Sequence, residues 1–216
     1  MIRVCIVCEG QTEVEFVRSC LVPYLLAKGV HAFPSLLQAP SGRHRGGRVT
    51  VERLVKFISH QYHAADRITT LVDYYGFQNR EGRDRLQLES YIGEEVAAAT
   101  SRYDARFVLP YVQMYEFEGL LFSDPLAFEW VEDGWNDETK RSLLAVAEQF
   151  SNPETINDSP ATAPSKRILS IFQRGTYSKT EHGPLIAEAI GIEAIGKKCP
   201  AFAKWVDQIL FWGKKD

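Results

Sequence analysis

Three largely apolar stretches each run into acidic residues: Val4 to Cys8 meets Glu9, Ile68 to Val72 meets Asp73, and Phe107 to Met114 meets Glu116-Phe117-Glu118. The first is apolar without alternation, as expected of a strand covered by helices on both faces. Between these stretches the period changes. Phe16, Val17, Cys20, Leu21, Tyr24 and Leu25 repeat at helical spacing up to Gly29, with Thr12 and Glu15 placed as a capping box and Pro23 predicting a kink. Val51, Leu54, Val55, Ile58 and Tyr62 predict a second helix, and a third runs to about Thr100 after a polar loop from Gly76 to Asp84. Val30 to Gln38 reads as a strand, irregular or at an edge because of Pro34.

Strands alternating with helices are the signature of a parallel α/β sheet. The predicted fold is therefore α/β, a Rossmannoid, mainly parallel sheet flanked by helices. After Glu116 the pattern changes to short helical segments broken by Pro125, Pro153, Pro160, Pro164, Pro184 and Pro200, with no convincing strand. The expected organisation is an α/β core over residues 1–122 and a C-terminal helical subdomain over 123–216 packed on it. The segment from Asn152 to Pro164 reads as an irregular loop.

Composition narrows the classes without choosing a function. The chain has 216 residues and is 45% hydrophobic, enough for a well-buried core. Its formal charge of −3 supplies no global attraction to nucleic acid, so such binding would need local basic patches. No charged leader followed by an apolar run opens the chain, and no apolar stretch approaches the roughly 20 residues that span a bilayer. A cytoplasmic location away from the membrane is expected. The four cysteines, Cys5, Cys8, Cys20 and Cys199, lack zinc-site spacing, and Cys5 and Cys8 would point to opposite faces of one strand. They read as buried core thiols.

Ligands of open α/β sheets bind beyond the carboxyl ends of the strands, where the acidic residues fall. Carboxylates gathered there would repel one another unless a cation neutralised them, so a divalent metal and work on phosphate are expected. Glu9 and Asp73 are the leading ligands. Glu13, in the first turn of the following helix, is either a direct or water-mediated ligand or a complement to the helix dipole. Glu116 and Glu118 share a face on an extended backbone and diverge on a helix, so at least one of them reaches the crevice. Candidate phosphate contacts are Arg43, Arg45 and Arg48 in a glycine-rich loop, and Lys166, Arg167 and Lys179 in the helical part. Pro164-Ser165-Lys166-Arg167 reads as a helix start suited to an anion. His182 is either a phosphate or acid/base contact or a structural histidine. Walker, dinucleotide-binding, HExxH and nucleophile-elbow motifs are missing, which argues against ATP hydrolysis by this chain alone.

Glu9-Gly10-Gln11-Thr12-Glu13, Val72-Asp73-Tyr74-Tyr75-Gly76, Glu116 to Phe122, Pro153 to Asn157 and Pro164 to Arg167 together resemble an uncharacterised bacterial family of Toprim-like proteins, often associated with a separately encoded ATPase. More distantly, the pattern is similar to the Toprim domain of topoisomerases, primases and overcoming-lysogenization-defect nucleases. There a glutamate ends the first strand and Asp-x-Asp ends a later one around Mg²⁺. Tyr75 stands where the second aspartate of that motif is expected, and Tyr115 where the closer family is expected to carry histidine. The resemblance implies an Mg²⁺- or Mn²⁺-dependent nuclease acting on DNA or RNA, possible in bacterial defence with an ATPase partner. In that reading Glu9, Asp73 and Lys166 carry the chemistry, and Lys166 or Arg167 offsets transition-state charge. The alternative is a noncatalytic module that binds nucleic acid or the ATPase.

Overall fold

The computed structural model describes residues 2–37, 49–100, 107–157 and 162–214. Its sheet is parallel throughout, in the order β2-β1-β3-β4, with β5 also pairing β3. The strands are β1 (Arg3–Cys8), β2 (His31–Leu36), β3 (Arg67–Asp73), β4 (Val108–Leu109) and β5 (Val112–Gln113). The predicted α/β architecture is present, with Pro34 on edge strand β2. Parallel pairing brings the carboxyl ends of β1, β3 and β5 to one rim of the sheet.

The stretch expected as one strand from Phe107 is divided, because Pro110 has no N–H for the ladder. Register is nevertheless kept: Val108 lies opposite Ile68, and Val112 opposite Val72. The Thr70 hydroxyl fills the gap, donating to the Tyr111 carbonyl at 2.7 Å and accepting from the Tyr111 N–H at 2.8 Å. Thr69 Oγ1 donates to Leu109 O at 2.6 Å. Two threonine side chains thus satisfy buried backbone groups that a regular ladder would have paired.

Alternation along β1 feeds two cores. Cys5 and Val7 join the layer with Leu54, Val55 and Ile58 of α3 (Val51–Gln61) and Leu88, Ile92 and Val96 of α4 (Arg85–Ala99). Val4, Ile6 and Cys8 join the opposite layer, which runs from Phe16 through Phe117 to Phe202 and Trp205. Cys5 and Cys8 therefore face apart, and all four cysteines are buried and free, as the sequence predicts. Burial pushes the Cys5 and Cys199 thiols up to about 12 and Cys20 up to about 11.

The helix after β1 begins earlier than predicted. Gly10 is its N-cap, α1 spans Gln11–Phe16, and Glu13 rather than Glu15 reaches back to the Gly10 N–H at 2.9 Å. Glu15 instead accepts from Gln11 and Arg18 on the surface. A π-helical turn (Val17–Leu21) leads into α2 (Val22–Leu26) with helical backbone at Leu21 and Val22, so the irregular turn lies immediately before Pro23, which has no N–H to continue the ladder. Gly29, at φ 85°, ends the helix while the Val30 and Gly29 N–H groups return to Leu25 O and Leu26 O, a Schellman arrangement.

Beyond β5 the described residues form 3₁₀ segments Phe117–Ser123, Pro125–Gly134 and Pro153–Thr155. They alternate with α5 (Asp137–Glu148), α6 (Pro164–Ile171), α7 (Lys179–Ile190), α8 (Ile192–Lys198) and α9 (Pro200–Gly213). These elements pack on the face of the sheet that carries α1. Trp205 of α9 stacks on Tyr111, ring centroids 4.5 Å apart, and donates to Thr69 Oγ1 at 2.7 Å. The predicted loop from Asn152 to Pro164 is described except for 158–161. No helix among the described residues is long and apolar enough to cross a membrane.

Candidate functional site

The rim formed by the ends of β1, β3 and β5 gathers Glu9, Glu13, Asp73, Glu116 and Glu118. Glu9 follows β1 directly, and its Oε2 accepts from the Asp73 N–H at 3.1 Å. The close approach requires Gly76: a Cβ there would lie 2.1 Å from Glu9 Oε2. Asp73 is the last residue of β3 and leads into a 3₁₀ turn, Tyr74–Gly76. Although Asp73 as a whole is only partly buried, its Oδ1 is sealed from solvent and has no hydrogen-bond partner.

Glu116 is extended at the N-cap of the Phe117–Ser123 segment and Glu118 lies in its first turn. The like charges of both contribute to raising Asp73. Glu116 Oε2 accepts from the Ser165 N–H at 2.9 Å. The helix start at Pro164-Ser165 thus does hold an anion, and that anion is the chain's own glutamate. Glu118 is buried and pairs with Lys179 Nζ at 3.0 Å.

These carboxylates lie close enough for their like charges to act on one another. Burial, followed by the like charges of Glu13, Glu9, Glu118 and Glu116, holds Asp73 well above the usual aspartate range. Burial and Glu13 push Glu9 up to about 7, against the lowering effect of the Asp73 N–H and Arg53. Glu13 is also raised, chiefly by burial. The partners in the Lys179–Glu118 pair are not equally satisfied. Burial alone would lower Lys179, but Glu118, Glu116 and Asp73 outweigh it and hold the ammonium above its ordinary value. Glu118, 4% exposed against 40% for Lys179, remains raised because one cation does not offset its burial.

Among the described residues no three histidine, cysteine, aspartate or glutamate side chains form a ready metal-ligand cluster. Glu13 is engaged by Gly10, Glu116 by Ser165 and Glu118 by Lys179. Glu9 is likewise engaged through Oε2 by the Asp73 N–H, which leaves its Oε1 and the unpartnered Asp73 Oδ1. Such a donor set suits a hard cation like Mg²⁺, which keeps several waters and commonly takes one or two protein carboxylates. It does not suit a closed all-protein cage.

The other described candidates are exposed or engaged by neighbouring groups. Lys166 is exposed at the start of α6. Arg167 donates through Nε to Thr162 O at 2.8 Å, and its guanidinium lies 5.4 Å from the Phe150 ring centroid. His182 Nδ1 accepts from the Ser178 N–H at 2.8 Å and stacks on Tyr177, an arrangement that secures the start of α7. Arg43, Arg45 and Arg48 lie outside the described residues. Sequence reasoning did not single out Arg53, whose position on a helix end gives no hint that its charge reaches Glu9. It also missed Tyr177, whose buried hydroxyl has no hydrogen-bond partner.

A family model described as Domain of unknown function (DUF4276) matches residues 8–210. The chain belongs to that family. The match covers all five acids of the rim and Lys179 in this DUF4276 member. No curated protein matches its sequence. Among solved structures it is similar to the C-terminal region of the Xanthomonas campestris pv. campestris OLD protein. Identity is 14% and the TM-score 0.47, over 98% of this chain and 95% of that one.

Proposed function

We propose that this DUF4276 member hydrolyses phosphodiester bonds in DNA or RNA with Mg²⁺ or Mn²⁺ held by Glu9 and Asp73. The observation that carries this reading is the buried Asp73 Oδ1, left without a hydrogen-bond partner among like charges. An isolated buried carboxylate is costly, and a cation relieves both the burial and the repulsion. When bound, the cation would polarise the scissile phosphate and acidify a water.

The chain's own groups would do the rest. Gly76 and the Asp73 N–H fix the position of the Glu9 carboxylate at the rim. Lys179, fixed by Glu118, offsets negative charge at the rim, and exposed Lys166 offers a further phosphate contact. Arg43, Arg45 and Arg48 would extend the polyanion surface. The resemblance of the motif order to Toprim nucleases supports the same reading, which includes cooperation with a separately encoded ATPase.

The deciding experiment incubates the purified chain with single- and double-stranded DNA and RNA in Mg²⁺ or Mn²⁺, alone and with any ATPase encoded beside it. Cutting that disappears in Glu9→Gln and in Asp73→Asn, with folding retained, is the expected result. Cutting that survives both substitutions would remove the rim from the chemistry. A second reading, a noncatalytic module for nucleic acid or an ATPase, is favoured by Tyr75, whose hydroxyl is engaged by Asn157 Nδ2 where an aspartate ligand was expected. Binding of either partner with no cutting under any condition would establish that reading instead.

A further inference from the structure

Beside the carboxylates lies an aromatic surface with no part in the metal chemistry. Tyr74 and Tyr75 directly follow Asp73, and Tyr115 directly precedes Glu116. Their ring centroids are 5.3 Å apart for Tyr75–Tyr115 and 6.4 Å for both Tyr74–Tyr75 and Tyr74–Tyr115. Arg80 lies over Tyr74 at 4.1 Å and reaches toward Tyr75 at 5.8 Å, while its Nη1 donates to Tyr74 O at 3.2 Å. All four residues are partly exposed. Tyr75 and Tyr115 belong to neither core layer.

Several contacts hold these rings in place. Tyr74 OH donates to Arg83 O at 2.7 Å, the Tyr75 N–H donates to Tyr115 O at 3.1 Å, and Asn157 Nδ2 donates to Tyr75 OH. Tyr115 has φ 60°, the left-handed region, which a bulky aromatic residue adopts only at a cost. Such strain persists where the surroundings over-determine it and is concentrated at ligand sites. A rigid, half-exposed aromatic group with an adjoining guanidinium loses little entropy when a flat ligand stacks on it.

We propose that Tyr74, Tyr75, Tyr115 and Arg80 form a stacking platform for unpaired nucleobases, making single-stranded nucleic acid the substrate of the acidic rim. The inference rests on the nuclease reading for its substrate class but not for its binding. Tyr74 and Tyr75 directly follow Asp73, and the bond from the Tyr75 N–H to Tyr115 O holds Tyr115 beside them, so a strand with a phosphate at the rim would carry its neighbouring bases toward the rings. In a duplex the base faces are already stacked, whereas in a single strand they are open to aromatic side chains and arginine.

The test measures fluorescence anisotropy of labelled single strands and matched duplexes with the full chain, calcium replacing magnesium to restrain cutting. Single strands should bind about tenfold more tightly than duplex, and Tyr75→Ala or Tyr115→Ala should weaken single-strand binding about tenfold, with Tyr75→Phe and Tyr115→Phe retaining it. Photocrosslinking of the unsubstituted chain to a single strand should map to residues 74–80 and 115, which guards against alanine variants that fail to fold. Equal binding of single strand and duplex, or crosslinks confined to other segments, would overturn the platform and leave the nuclease reading intact. Tyrosine-dependent single-strand binding without cutting would retain the platform and remove the nuclease reading. Absence of all nucleic-acid binding would overturn both.

Discussion

The Glu9 carboxylate occupies the space that a side chain on residue 76 would need, with a hypothetical Cβ 2.1 Å from Oε2 and 2.4 Å from Oε1. Gly76→Ala therefore forces Glu9 from its bond with the Asp73 N–H. The expected cost is about 1–3 kcal/mol of stability, as for other overpacked sites. Magnesium affinity, measured by isothermal titration calorimetry, should fall as far as in Glu9→Gln. Unchanged affinity in a folded Gly76→Ala protein would show that the position of Glu9 is not what binds the cation.

Stability of the metal-free protein should run opposite to ordinary acid denaturation in this window. Glu9 titrates at about 7 in the fold against an ordinary 4.5, and Glu13, Glu118 and Asp73 shift in the same direction. The native state thus holds protons that the unfolded chain releases. The contribution of Glu9 is full below about 4.5 and is lost as pH rises through about 7, and the other three act with the same sign. Calorimetric Tm in a chelator should decline across that range, and excess magnesium should flatten the decline by replacing the protons. An identical slope with and without magnesium would count against a cation at the rim.

Lys179→Met should destabilise the protein by stranding Glu118. A sealed pair broken in this way loses about 3–5 kcal/mol, but Lys179 is 40% exposed and water screens it, so about 1–2 kcal/mol is expected. Adding Glu118→Gln should recover most of the loss. Chemical denaturation of the single and double variants provides the measurement, and no recovery in the double variant would refute the pairing energy.

Glu154 is a buried acid with a different task. It accepts from the Ala201 and Phe202 N–H groups at 2.9 and 3.0 Å, capping the start of α9. Glu154→Ala should cost about 1–3 kcal/mol through the orphaned N–H groups. Magnesium binding to the folded variant should remain unchanged; a large loss of affinity would assign Glu154 to the site as well.

Local patterns made the sheet and its acidic rim legible. A strand end fixes where Glu9 and Asp73 stand, because side chains at the carboxyl ends of parallel strands share one rim. Boundaries were less legible: Gly10 serves as N-cap as readily as Thr12, shifting the capping glutamate from Glu15 to Glu13. The break at Pro110 was visible in composition, but its repair by Thr70 needs the register of two strands forty residues apart. Pairings across larger separations, Lys179 with Glu118 and Ser165 with Glu116, leave no local signal. A basic residue on a helix reads alike whether it faces solvent or a carboxylate.

The order in which these charges emerge has a consequence for synthesis. Every acid of the rim lies within the first 118 residues, whereas the Ser165 N–H and the Lys179 ammonium that engage two of them come later. A nascent chain carries the whole negative set before it has either counterpart. Assembly of the rim is therefore complete only when α6 and α7, which carry the partners of Glu116 and Glu118, have joined it.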